Sequence, residues 1–182
     1  MNIFYFDWEF DFLYFLQGFR NPILDNLMAI LSDIGNAGLI WIAIAVILLC
    51  MKKYRISSLQ LIVAMIFTFI IGNLILKNLV DRARPCQIDE AINLIVNIPK
   101  DSSFPSGHTM NGITAALTLW FIDKRFGIPA MILALGIAFS RMYNFMNFPT
   151  DIIAGIIVGV TSAVVCNCFF KKYVYNNKKE VS

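Results

Sequence analysis

The chain has 182 residues, of which 58% are hydrophobic and 15% charged, with a mean hydropathy of +0.69. These values exclude an ordinary soluble domain. The net charge of +3 is small, and the basic residues gather at the ends of apolar runs, so it is not a nucleic-acid signal.

Residues 2–17 mix Phe, Tyr, Trp and Leu with Asp7, Glu9 and Asp11. A secretory signal would carry basic residues there and a small-residue cleavage site, and neither is evident. This stretch and 21–33 read as amphipathic interfacial helices, with Phe4, Tyr5, Phe6 and Trp8 as an interfacial anchor. Asp25 and Asp33 count against a span over 21–33, which would be a sixth.

A membrane-crossing helix needs roughly 20 apolar residues. Residues 34–51, 56–76, 102–122 and 152–170 supply such stretches without formal charge, taking His108 as neutral, and 126–140 is a shorter fifth. The expected fold is an all-α integral membrane bundle of five transmembrane helices, with a sixth left open, behind amphipathic N-terminal helices. Its divisions are 1–35 for the interfacial helices, 36–172 for the bundle and 173–182 for a basic cytoplasmic tail. Cys50, Cys86, Cys166 and Cys168 are scattered without zinc-ligand spacing and read as small apolar residues.

Lys52, Lys53 and Arg55 lie in one loop, Lys124 and Arg125 in another, and Lys171, Lys172, Lys178 and Lys179 follow the last span. The positive-inside rule places all three groups in the cytoplasm. Five spans then put the opposite ends of the helices outside. Lys77 falls at the outer end of the second span, residues 105–108 open the third, Arg141 lies near the end of the fourth, and Asp151 in the first turn of the fifth. Loop 81–104 adds Arg82, Arg84 and Pro85 to the same face.

Ionisable residues bordering spans are costly and usually functional. Lys77, Arg84 and Arg141 give three cations on one side, and Arg offers a planar fork that matches phosphate oxygens. Pro105-Ser106-Gly107-His108 reads as a helix start: Ser106 as a cap, Gly107 for close backbone approach, and free N–H groups for an anion. His108 is the only histidine.

Three blocks stand in order: Lys77-x6-Arg84-Pro85, Pro105-Ser106-Gly107-His108, and Ser140-Arg141-x5-Asn147-x3-Asp151. Together they resemble the signature of the type-2 phosphatidic acid phosphatase family, over roughly residues 20–170. The resemblance implies a membrane phosphatase for lipid phosphates or diphosphates, with the lipid bilayer as its setting and no metal or other cofactor. It implies phosphate binding by Lys77, Arg84, Ser106, Gly107 and Arg141. His108 would protonate the leaving oxygen, and Asp151 would orient the group at 147.

In that family position 147 is a histidine and the nucleophile; here it is Asn147. An amide has no basic nitrogen for in-line attack, although its NH2 is placed to donate to Asp151. The expectation is therefore phosphate-ester binding with little or no turnover. An inactivated phosphatase and a natural pseudoenzyme both fit, as does a protein that binds or moves lipid phosphates without chemistry. Undecaprenyl diphosphate is favoured over phosphatidylglycerol phosphate or phosphatidic acid, because the site faces outward. The sequence carries no signal for oligomeric state.

Overall fold

The computed structural model describes residues 1–175, so Lys178 and Lys179 of the expected tail lie outside the described residues. Two short helices open the chain, α1 (Asp7–Gln17) and α2 (Pro22–Ile34). Asn21 caps α2 by accepting from Leu24 N–H at 3.0 Å, and Pro22 fills the first helical position, where a missing N–H costs nothing. Ala37 and Gly38 take positive φ (50° and 69°), which breaks the helix before α3 (Leu39–Cys50).

From α4 (Arg55–Phe69) the helix runs through a π-helical stretch (Ile70–Leu76) into α5 (Lys77–Val80). A loop carrying α6 (Pro85–Ile88) leads to α7 (Gly107–Ile122), α8 (Lys124–Tyr143) and α9 (Pro149–Phe170). Asp123 caps α8 by accepting from Arg125 N–H at 2.9 Å. Three of these helical runs are long and apolar enough to cross a membrane: Lys52–Val80, Lys124–Tyr143 and Pro149–Tyr175. Pro22–Ile34 and Asn36–Cys50 pass the same test only as a pair bent by 44°.

Two details differ from the sequence expectation. The third span does not run helically from 102; α7 has 16 residues, roughly 24 Å of rise, short of a ~30 Å hydrocarbon core. Residues 102–106 stay non-helical because their backbone serves other partners. Ser103 N–H donates to Arg82 O at 2.9 Å, and Ser103 O accepts from Asn147. A short helix is tolerable here because α4, α8 and α9 pack around it, so protein rather than lipid meets its ends. Second, α2 is joined to the bundle. It leads into α3 and packs on α8.

The core lies around α7, where Ile113, Ala116 and Leu119 meet Trp41, Leu61, Ala134 and Ile137. Small residues on α9 let the backbones approach. A Cβ on Gly159 would lie 2.9 Å from Met110 O, and one on Gly155 3.0 Å from Ser106 O. Large side chains such as Ile42, Ile66, Leu135, Ile153 and Ile157 remain exposed, as a bilayer-facing surface requires. A smaller cluster of Leu13, Cys86, Phe145, Met146 and Phe148 joins α1 to the motif-bearing end.

Candidate active site

All three sequence blocks meet at one end of the bundle. The turn after α8 brings the third block back on itself. Phe145, with φ 61° and fully buried, reverses the chain, and Met146 and Asn147 N–H both donate to Arg141 O (2.9 and 3.3 Å). Cys86 N–H donates to Phe145 O at 3.2 Å, and Arg84 Nη1 to Met146 O at 2.8 Å, which fastens the first block to the third. Ser106 N–H donates to Asp151 O at 3.1 Å, fastening the second.

Asn147 is buried and bonded at both ends of its amide. Its Nδ2 donates to Ser103 O at 2.7 Å, while its Oδ1 accepts from Arg141 Nε at 3.3 Å and Ser106 Oγ at 3.4 Å. The expected bond from Asn147 to Asp151 is not formed. Asp151 is already saturated: Oδ1 accepts from Arg82 Nη1 at 2.7 Å, and Oδ2 from Phe148 N–H at 2.7 Å and from Ser103 Oγ. Ser103 therefore stands between the two, its hydroxyl on Asp151 and its carbonyl on Asn147. Ser106 does occupy the N-cap position of α7, but its side chain turns to Asn147 instead of capping.

His108 Nε2 lies 3.2 Å from Ser32 O. A carbonyl only accepts, so this nitrogen carries the proton. Arg141 Nη1 donates to Ser32 Oγ at 2.6 Å, so one serine of α2 touches both groups. Lys77 and Arg84 converge on one carboxylate, that of Asp101. Lys77 Nζ bonds Oδ2, and Arg84 Nη2 reaches Oδ1 at 2.7 Å. Burial alone would raise the Asp101 carboxyl, but the ammonium and guanidinium outweigh it and bring its pKa to about 2.

Behind the site Arg82 is buried with two carboxylates. Its Nη2 donates to Glu9 Oε2 and its Nη1 to Asp151 Oδ1, both at 2.7 Å, and its guanidinium stacks on Phe148. Thr150 Oγ1 donates to Glu9 Oε1 at 2.6 Å. Burial alone would raise the Glu9 carboxyl; the Thr150 and Phe6 hydrogen bonds and the Arg82 charge hold it below its ordinary value.

Lys77, Arg84 and their shared partner Asp101 line one cavity of about 360 Å³, together with Gly107, His108 and Asn147. Arg141 and Ser106 sit behind Asn147 instead of on the wall. Ala37, Phe69 and Asn111 are shared with a second hollow of about 410 Å³ along α3 and α4, walled by Trp41, Ile42, Ile62, Met65 and Ile66. The arrangement is a cationic pocket continuous with an apolar groove.

Sequence reading missed Ser32, Asp101, Ser103 and Glu9, and it placed Arg82 on the right face without a role. Asp101 had one available signal, an acid in the loop directly before the second block. Ser32 and Glu9 had none, since they reach the site only by tertiary packing.

Long apolar helices around a polar cavity that Lys77, Arg84 and His108 line at one end define a helical integral-membrane bundle with an anion-accepting pocket. The PAP2 superfamily model matches residues 57–175, and the chain belongs to that family. An undecaprenyl-diphosphatase of Sulfolobus acidocaldarius is 30% identical over 137 residues, 75% of this chain and 66% of the relative, just under two thirds of its length. The crystal structure of Aquifex aeolicus LpxE superposes with a TM-score of 0.77 at 23% identity, covering 88% of this chain and 95% of that one. The Bacillus subtilis PAP2-type phosphatidylglycerolphosphate phosphatase gives 0.76 at 20% identity, covering 91% and 85%. At such identities these two structures speak for the fold alone.

Proposed function

We propose that this chain holds the phosphate end of a lipid phosphate or diphosphate in the cationic cavity, with the lipid chain in the adjoining groove. The carrying observation is that continuity: Lys77, Arg84, Gly107 and His108 line a polar cavity that shares Phe69 and Asn111 with an apolar one. Lys77, Arg84 and the Gly107 N–H supply donors for the phosphate oxygens, and Arg141 and Ser106 hold the side chain at 147 from behind. Undecaprenyl diphosphate is the favoured lipid, with the site on the outer membrane face and the C-terminus in the cytoplasm.

With a histidine at 147 the reaction follows from these positions. The imidazole attacks phosphorus, the bond from phosphorus to the leaving oxygen breaks, and His108 gives that oxygen its proton. Water then attacks the phosphoimidazole, the P–N bond breaks, orthophosphate leaves, and His108 recovers a proton. Ser103 O, which accepts from Asn147, is placed to accept from the imidazole N–H, and Asp151 holds Ser103 there through its hydroxyl. Asn147 cannot perform the first step, so the chain binds its lipid and turns it over little or not at all.

A second reading is a natural non-catalytic binder or transporter of lipid phosphates. The observation in its favour is the good fit of Asn147, which is hydrogen-bonded at both ends of its amide. Phosphate release from undecaprenyl diphosphate and phosphatidylglycerol phosphate, in chelator, separates the two. Activity confined to Asn147→His supports a phosphatase lacking its nucleophile. Binding without activity in both forms supports the second reading. Fast turnover by the unaltered chain sinks the mechanism and makes His108 the suspected nucleophile.

A further inference from the structure

The cavity is layered along two helices. On the α4–α5 helix, Lys77, Asn73, Phe69 and Met65 follow one another at intervals of four residues, so they descend one face by roughly 6 Å per step. Lys77 and Asn73 line the cationic cavity, Phe69 lines both hollows, and Met65 only the apolar one. On α7, which starts at this same end, Gly107 and His108 stand at the top and Asn111 one turn below, lining both hollows. Asn73 and Asn111 thus form a neutral polar layer between the cations and the apolar groove. The π-helical stretch Ile70–Leu76 contains Asn73, and such widened turns are frequent at functional sites.

The bonds that fix Lys77, Arg84, Arg141 and Asn147 go to Asp101, Ser102, Ser103, Ser106, Ser32, Met146 and one another. Asn73 and Asn111 are not among these partners, so their amides are not spent on holding the cations. An isoprenoid monophosphate seated at Lys77 and Arg84 presents a hydrocarbon chain to this layer, which rewards two amides with nothing. A lipid diphosphate presents its second phosphate there.

We infer that Asn73 and Asn111 recognise that second phosphate, making this cavity selective for an isoprenoid diphosphate over the corresponding monophosphate. The inference rests on the reading of the cavity as a lipid-phosphate site. Amide N–H donors suit the position because the second phosphate belongs to the leaving group. They stabilise its charge in the reaction and release it more easily than a lysine or arginine does. A site built to hydrogen-bond a group discriminates strongly against an analogue lacking it.

The test needs no turnover. Inorganic orthophosphate and inorganic diphosphate are titrated calorimetrically into the unaltered chain in detergent micelles, and into Asn73→Leu and Asn111→Leu. The unaltered chain is expected to bind diphosphate more tightly. Each variant should bind diphosphate about tenfold more weakly, which is about 1.4 kcal/mol, with orthophosphate affinity unchanged. Unchanged orthophosphate binding also shows that the variant is folded, and Asn111→Ser, smaller and still polar, should lie in between. Equal loss of both anions, or no loss of either, overturns the inference. Orthophosphate binding with no preference for diphosphate in the unaltered chain overturns it while leaving the lipid-phosphate reading intact. Failure to bind either anion sinks both.

Discussion

The proposed chemistry turns on the side chain at 147, but the residues around it depend most on Arg82. Arg82, Glu9 and Asp151 are all essentially inaccessible, and the guanidinium is shared between two carboxylates. Removing the cation leaves two buried anions unmatched, which typically costs ~3–5 kcal/mol. Arg82→Met should lower stability by about that amount in detergent unfolding. Adding Glu9→Gln should recover part of the loss, a non-additivity expected of directly bonded partners; simple additivity would show that the trio is not coupled. Asp101 behaves differently, because its side chain is half exposed (51%) and solvent screens its pairs with Lys77 and Arg84. Its folded pKa lies below the ordinary value of 3.8, at about 2. The stabilisation is therefore complete above pH 4 and fades as pH falls toward 2. Unfolding curves at pH 5 and pH 2.5 should show a slightly larger acid loss for the unaltered chain than for Asp101→Asn.

Among the helices, the α7–α9 contact sets the register of the site. Gly155 and Gly159 lie four apart on α9 and face Ser106, Thr109, Met110 and Ile113. A side chain on Gly159 forces the helices apart, so Gly159→Val should cost ~1–3 kcal/mol, and Gly159→Ala less. Gly155→Ala presses on Ser106 O at the start of α7. It should weaken orthophosphate binding more than its stability change explains, because Ser106 and the Gly107 N–H move with that turn. Titration beside thermal unfolding checks this, and an effect on stability alone would remove α9 from the positioning of the site. The bend between α2 and α3 belongs to the same scale. Without the positive-φ pair Ala37 and Gly38, α2 would not fold over α8 to bring Ser32 to His108 and Arg141.

For the whole molecule, the prediction concerns sidedness. With Cys50, Cys86, Cys166 and Cys168 replaced, Asn93→Cys in loop 81–104 should react with a membrane-impermeant maleimide on intact cells, and Lys53→Cys only after permeabilisation. The reverse pattern would turn the site to the cytoplasm and remove the argument for a lipid diphosphate presented outside. The N-terminal segment is part of this whole. Asn2 N–H donates to Asp81 O at 2.6 Å and Ala83 N–H to Asn2 O at 2.9 Å, so the first residues are laced to the loop that carries Arg82 and Arg84. The segment that leads into the interfacial aromatics thus also holds the loop that carries Arg82 and Arg84.

The sequence by itself determined the class of fold, the family and the positions of the three blocks. Long uncharged runs have one stable solution in a bilayer, and motif spacing fixes which helix end each cation occupies. Lys77, Arg84, His108 and Asn147 were legible because their own elements carry them to the cavity. Tertiary structure alone decided which partners they meet. Asp151 turned to Arg82 and Ser103 instead of Asn147, α7 began five residues later than its apolar run, and Ser32 and Glu9 arrived from segments far away in the chain. A buried polar group takes whichever donor or acceptor packing places within about 3 Å, and local sequence does not encode that distance.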